Sequence, residues 1–304
     1  MQIYVGLTEK HWYEQLSSDS FDEVNFWNSG SRGINLNDND IFLFKLHSPD
    51  DMIVGGAFFV RYVKLSPLLA WKAFEKENGA TSYEEFLYRI SRQRGIDRIT
   101  SETQIGCIVL ANPFWFKKED WFSAPEWKRQ IQSGRKYDTE TEIGRQLYND
   151  VIARIGNQTI HTEEAGNRVP EENRFVEVRV NRRLGQGAFR LEVADAYNNS
   201  CAITGVKASP VLEAAHIRAY SQNGPHHITN GILLRTDIHA LFDSGYITIT
   251  PDYHVKVSNH LQSKYGDGEY MQYDGRKLLL PRQNSLYPNA EYIRWHNENV
   301  FLGD

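Results

Sequence analysis

The stretch from residue 212 to residue 245, LEAAHIRAYSQNGPHHITNGILLRTDIHALFDSG, constrains this chain more than any other part of it. It holds four of the ten histidines, and its pattern reads as strand, loop, strand, helix. PVLEAAHI is a short apolar run that ends in a histidine. NGILL is a second extended run, and RTDIHALFDSG carries apolar residues at helical spacing with Gly at its end. His216 closes the first strand, Asn230 lies in the loop before the second, and His239 sits on the helix. Hydrolysis of a phosphodiester needs a base for the attacking water, a divalent metal on the phosphate oxygens, and a group that orients the base. A neutral imidazole suits the first role and a helix imidazole suits metal ligation. An asparagine can hold the base or the loop that carries it.

With 304 residues there is room for two domains. The clearest break is NQTIHTEEAGNRVPEEN, which is polar, contains Gly and Pro and shows no apolar period. The expected layout is therefore a first domain over 1–156, a linker over 157–173 and a second domain over 174–304. In the first domain, IYVGLT reads as a strand, EKHWYEQLSS as a helix, and DIFLFKLHS and MIVGGAFFVRYVKL as two strands joined across PDD. Two helices, SPLLAWKAFEKENG and SYEEFLYRISRQRG, precede the strand IGCIVLANPFWF, and TETEIGRQLYNDVIARIG reads as a capped helix. A small mixed barrel with helices is the expected result, and the chain as a whole is expected to be α+β.

Composition narrows the functional classes. The formal net charge is −5 and neither half is basic, so a nucleic acid would be held by local patches rather than by bulk charge. One such patch is RFVEVRVNRRLGQGAFR, with Arg174, Arg179, Arg182, Arg183 and Arg190. Arg92, Arg94 and Arg98 form another. Arginine forks and helix N-terminal amides suit phosphates, and Arg182, Arg183, Arg190 and Arg32 are the candidate phosphate contacts. Two cysteines, Cys107 and Cys201, make neither a disulfide framework nor a four-cysteine zinc site. No structural zinc is expected. No apolar run of about 18 residues is present, and MQIYVGLTEKHWYEQ does not have the form of a secretion signal. A cytoplasmic protein with no membrane partner is the expectation.

The segments LGQGAFRLEVADAYNNSCAITG, LEAAHI and GPHHITNGILLRTDIHALFDSGYITI together resemble the HNH endonuclease family, in the subgroup found among predicted restriction enzymes. That resemblance covers about residues 182–250 and implies a ββα-metal fold. It implies His216 as general base, Asn230 as the middle residue and His239 as a ligand of Mg²⁺ or Mn²⁺. One position departs from the pattern: Ala215 stands where many members carry an acidic or histidine ligand. Glu213 and Asp237 are the candidates to complete the metal site with His239. His226 and His227 are left with a loop or substrate-contact role or with none, and Asp243 is expected to tie down a turn, with a substrate role as the alternative.

The order IYVGLT, DEVNFWNSG, DIFLFKLHSPDDMIVGGAFFVRYVKL is similar to the PUA superfamily, which includes the EVE and ASCH barrels, over roughly residues 1–150. The resemblance implies recognition of a modified base flipped out of a duplex, a cost of a few kcal/mol repaid by stacking and edge hydrogen bonds. Asn25, Trp27 and Ser29 are the candidate pocket, with Trp115 as a second aromatic. The joint expectation is a modification-dependent DNA endonuclease, a restriction enzyme acting on double-stranded DNA that carries modified cytosine and working as a homodimer. The alternatives are an HNH nuclease on unmodified DNA or RNA, and a non-catalytic modified-base reader.

Overall fold

The computed structural model describes residues 1–28, 33–38, 40–96, 99–100, 103–160, 185–266 and 268–303, with the backbone alone over 156–160. The chain divides into two compact units, Met1–Arg183 and Leu184–Asp304. Among the described residues no helix is long and apolar enough to cross a membrane.

The first unit is built on a six-stranded mixed sheet. Its strands are β1 (Gln2–Thr8), β2 (Glu23–Asn28), β3 (Ile41–Leu46), β4 (Ile53–Leu65), β5 (Ile105–Trp115) and β6 (Gly134–Asp138), in the order β2-β5-β4-β3-β1-β6. Only β1 and β3 pair in parallel. A chain that returns to its own sheet in parallel needs a crossover, and α1 (Lys10–Ser17) together with β2 supplies it. β3 is buried along its whole length, and alternation splits it between two cores. Ile41 and Leu43 join Leu147 and Val151 of α4 (Glu142–Ile160), whereas Phe42, Phe44 and Leu46 join Trp12 and Leu16 of α1. β4 shifts register twice against β5 and β3 shifts once against β4. Such bulges bend and twist a long strand so that the sheet can wrap its core. A third cluster forms where α2 (Pro67–Phe74) and α3 (Tyr83–Arg94) cover Ile105 and Cys107.

Two features differ from the sequence reading. DEVNFWNSG carries the candidate pocket residues Asn25, Trp27 and Ser29 with no strand assigned to it, and Glu23–Asn28 within it is a strand paired with β5 from Glu23↔Ala111 to Asn28↔Gly106. Helix α4 also runs on to Ile160, past Gly156, where the sequence reading ends it.

In the second unit α5 (Gln186–Ala196) packs on a hairpin of β7 (Leu212–His216) and β8 (Gly231–Arg235), and α6 (Thr236–Asp243) follows β8 without a loop. β9 (Ile247–Ile249) and β10 (Val255–Val257) pair antiparallel, with α7 (Asn259–Tyr265) and α8 (Ala290–Asn299) behind them. Ile232, Leu233 and Leu234 of β8 and Ile238 and Phe242 of α6 are all within the core. Cys201 is buried there too, accepting from the Thr204 and Arg235 amides at 3.4 and 3.3 Å, as a packed thiol.

α8 is fastened by His296, which is 2% exposed and stacks on Phe242 with ring centroids 3.9 Å apart. Its Nε2 lies 3.2 Å from the Phe242 carbonyl, which can only accept, so Nε2 carries a proton, and its Nδ1 lies 2.8 Å from the Thr248 hydroxyl, which itself donates to Asn297 Oδ1. Burial pushes its pKa down to about 4. The unfolded chain, with an ordinary histidine near pH 6.5, binds the proton that the folded chain refuses. Stability therefore falls as pH drops from about 6.5 towards 4, by about 2 kcal/mol between pH 7 and pH 5 for this residue alone. Urea unfolding at those two pH values tests this: His296→Gln is expected to lessen the pH dependence, leaving the share of the similarly shifted His216, and an unchanged dependence would remove His296 as a source.

Candidate active site in the β7-β8-α6 unit

The hairpin register sets Leu212 opposite Arg235 and His216 opposite Gly231. Gly231 is required there. A Cβ at that position would run into the Val193 side chain and come within 2.9 Å of the Phe189 ring. Its absence lets α5 press against the hairpin, so that Phe189 lies flat under the His216 imidazole, with centroids 4.0 Å apart and planes at 11°. His216 Nε2 is 2.9 Å from Nδ1 of His226, and the His226 ring stacks on Tyr220 at 4.4 Å. Burial first, then the charges of His226, Arg190 and His239, push the His216 pKa down to about 4. The ring is neutral at pH 7, the state a base needs.

Asn230 is fully buried. Its Nδ2 donates to the carbonyls of Arg218 and Pro225, each at 3.0 Å, and its Oδ1 accepts from the Arg218 amide at 2.9 Å. Those three bonds close the loop between the two strands on itself. His227, exposed, accepts from the Thr229 amide and caps the short turn ahead of Asn230.

On α6 the inward residues are Ile238 and Phe242, which leaves His239 and Asp243 together on the outer face, four residues apart. His239 Nδ1 lies 2.8 Å from Glu213 Oε2, and Nε2 lies 3.3 Å from Asp243 Oδ2. Ala215 is fully buried, and Glu213 stands on the same strand face two residues earlier. Loss of water contact raises the Asp243 carboxyl; His239 opposes that, and the Glu213 charge adds to it.

Asp237, expected as a ligand, is committed elsewhere. Its two oxygens take Arg235 Nε and Nη2 at 2.6 Å each and the Tyr270 hydroxyl at 3.1 Å, and the Arg235 bond holds its carboxyl below the usual range. The bidentate pair and the tyrosine bond thus engage both oxygens of Asp237. The sequence reading gives Asp243 a turn-tying role; its spacing of four from His239 on the helix is the signal that sets the two side chains together.

The donor set suits a hard divalent cation. Glu213 occupies one ring nitrogen of His239 as an orienting carboxylate does, and leaves Nε2 beside Asp243. Their 3.3 Å separation is close to the roughly 3 Å edge between neighbouring ligands of octahedral Mg²⁺. Among the described residues no cluster of three or more His, Cys, Asp or Glu side chains forms a metal cage. An ion that keeps several waters and binds substrate phosphate needs only one or two protein ligands.

In the first unit Asn25 is buried and its Nδ2 donates to Asn78 Oδ1 at 2.8 Å. The Trp27 indole donates to the Asn78 carbonyl at 2.9 Å and its ring meets Phe86 edge-on. Both side chains thus point to the face that α2 and α3 cover. Phe26, on the opposite face, packs with Phe42 and Phe44. Trp115 lies in that same aromatic core, against Trp12 and Phe44. Ser29, Arg32, Arg98, Arg174, Arg179, Arg182 and Arg183 lie outside the described residues. Arg94 donates to the Gln104 carbonyl, and the Arg92 guanidinium lies 5.9 Å from the centroid of the Tyr88 ring.

Residues 201–250 match the model of the HNH endonuclease family, and that segment contains His216, Asn230, His239, Glu213 and Asp243. The second unit carries an HNH endonuclease domain. HNH domains of this kind are generally dependent on a divalent metal. Among solved structures, the ASCH protein of Zymomonas mobilis is similar at 12% identity, over 48% of this chain and 94% of its own, with a TM-score of 0.35. The modification-dependent restriction endonuclease TagI is similar at 14% identity, over 93% of this chain and 76% of its own, with a TM-score of 0.29. No curated protein matches the sequence at a significant level.

Proposed function

We propose that this chain is a modification-dependent DNA endonuclease. The observation that carries the nuclease reading is the pairing of a neutral, ring-stacked His216 at the strand end with His239 and Asp243 on the helix that follows. In this reading His216 takes the proton of the attacking water. Asn230 keeps the loop between the strands in one shape, and Glu213 fixes the ring of His239. His239 and Asp243 would hold Mg²⁺ or Mn²⁺, which when bound stabilises charge on the scissile phosphate and the leaving 3′-oxygen. Arg190, whose charge is felt at His216, is the described candidate for a phosphate contact. One such site cuts one strand, so a double-strand break calls for two copies and hence a homodimer.

Recognition of a modified cytosine falls to the first unit. With Asn25 and Trp27 turned into the packing, the reading places the base on the other face of β2, where Asn28 and Tyr62 flank Gly106. A Cβ on Gly106 would come within 2.9 Å of Asn28 Oδ1 and 2.8 Å of the Tyr62 hydroxyl, so the glycine leaves space between two polar groups. The Tyr62 hydroxyl is buried with no hydrogen-bond partner among the described residues, and a buried group of that kind calls for one.

Matched duplexes carrying cytosine, methylcytosine, hydroxymethylcytosine or glucosylated cytosine, digested with Mg²⁺ or Mn²⁺, test both halves. Cutting confined to one modified duplex is the expected result. Equal cutting of all four would keep the nuclease and remove the modified-base role.

A further inference from the structure

One contact in the hairpin loop has no part in the mechanism above. His226 Nδ1 and His216 Nε2 are 2.9 Å apart, and a hydrogen bond between two neutral imidazoles needs one protonated and one bare nitrogen. If His226 were the donor, His216 would carry its single proton on Nδ1 and have no lone pair left for water. If His216 donates from Nε2, its Nδ1 lone pair is free, and no residue among those described bonds to Nδ1.

We propose that His226 is a positioning residue for His216: by accepting the Nε2 proton it fixes the tautomer and ring angle in which Nδ1 receives the proton of the attacking water. The inference rests on His216 being the base. Three further contacts prepare the pair. Phe189 supports the His216 ring from below, and Tyr220 stacks on His226 with planes at 10°. Asn230 ties Pro225, the residue before His226, to Arg218, two residues past His216. One buried side chain therefore holds both histidines in register. The proton count balances without a new reactant: water gives one proton to His216 Nδ1, the ring becomes an imidazolium, and its Nε2–H remains on the bond to His226.

Two variants of the full chain separate this role from mere packing. His226→Asn keeps an acceptor near the Nδ1 position and loses the ring; His226→Phe keeps the ring on Tyr220 and loses the acceptor. The Phe variant is expected to lose roughly 10- to 100-fold in kcat with KM unchanged, and the Asn variant to stay within about threefold of the wild type. ¹⁵N resonances of His216 should report the Nε2–H tautomer in the wild type and a mixture in His226→Phe. Equal loss in both variants, or an Nδ1–H tautomer of His216 in the wild type, would overturn the proposal. The NMR result is independent of cleavage, so a chain that cuts nothing but shows the Nε2–H tautomer would defeat the nuclease reading while leaving the pairing intact.

Discussion

His216→Ala is expected to reduce DNA cleavage by roughly 100- to 10,000-fold, the range spanned by loss of a general base, while the hairpin stays folded. The hairpin is held by the β7-β8 ladder, by Ala215 and Ile217 in the core and by the Asn230 clamp, none of which uses the imidazole. The loss should fall on kcat, since the ring acts on water rather than on the DNA. Single-turnover cleavage alongside far-UV circular dichroism would measure both effects. A variant that is folded and cuts at the wild-type rate would remove His216 from the chemistry.

A second large effect separates two aspartates on one helix. Asp243→Ala is expected to weaken divalent-metal binding by roughly 10- to 100-fold, with cleavage falling in step at limiting metal. Asp237→Asn should leave metal binding alone and cost about 1 kcal/mol of stability, since the Arg235 fork loses its charged partner in a site open to solvent. Calorimetric titration with Mn²⁺ and urea unfolding of both variants check the contrast. The reverse pattern, with Asp243→Ala silent and Asp237→Asn unable to bind metal, would return the ligand to Asp237.

The same pair shows how far the sequence could be read. The strand, loop, strand, helix order was legible because apolar runs of strand length give way to a helical period at Thr236, and Gly245 marks the end. Choosing Asp237 followed nearness in sequence, but residues two apart on a helix face opposite ways while those four apart share a face. In the first unit strand alternation decides which face each candidate takes. Asn25 and Trp27 were chosen for their chemistry, and alternation turns them towards Asn78 and Phe86, with Phe26 facing the opposite side. β6, GRKYD, went unseen because a short polar edge strand has no apolar alternation to show. The bond between His216 and His226 was out of reach altogether, since it depends on a loop whose shape Asn230 sets with backbone groups.

The most direct test of the central claim is the cut itself. The full chain would be incubated with supercoiled plasmid containing modified cytosine, in Mg²⁺ or Mn²⁺ and in chelator, with nicked and linear products followed over time. Metal-dependent nicking that chelator stops and His216→Ala abolishes is the predicted result. An intact plasmid under every metal and modification tried, from a chain shown to be folded, would contradict the account.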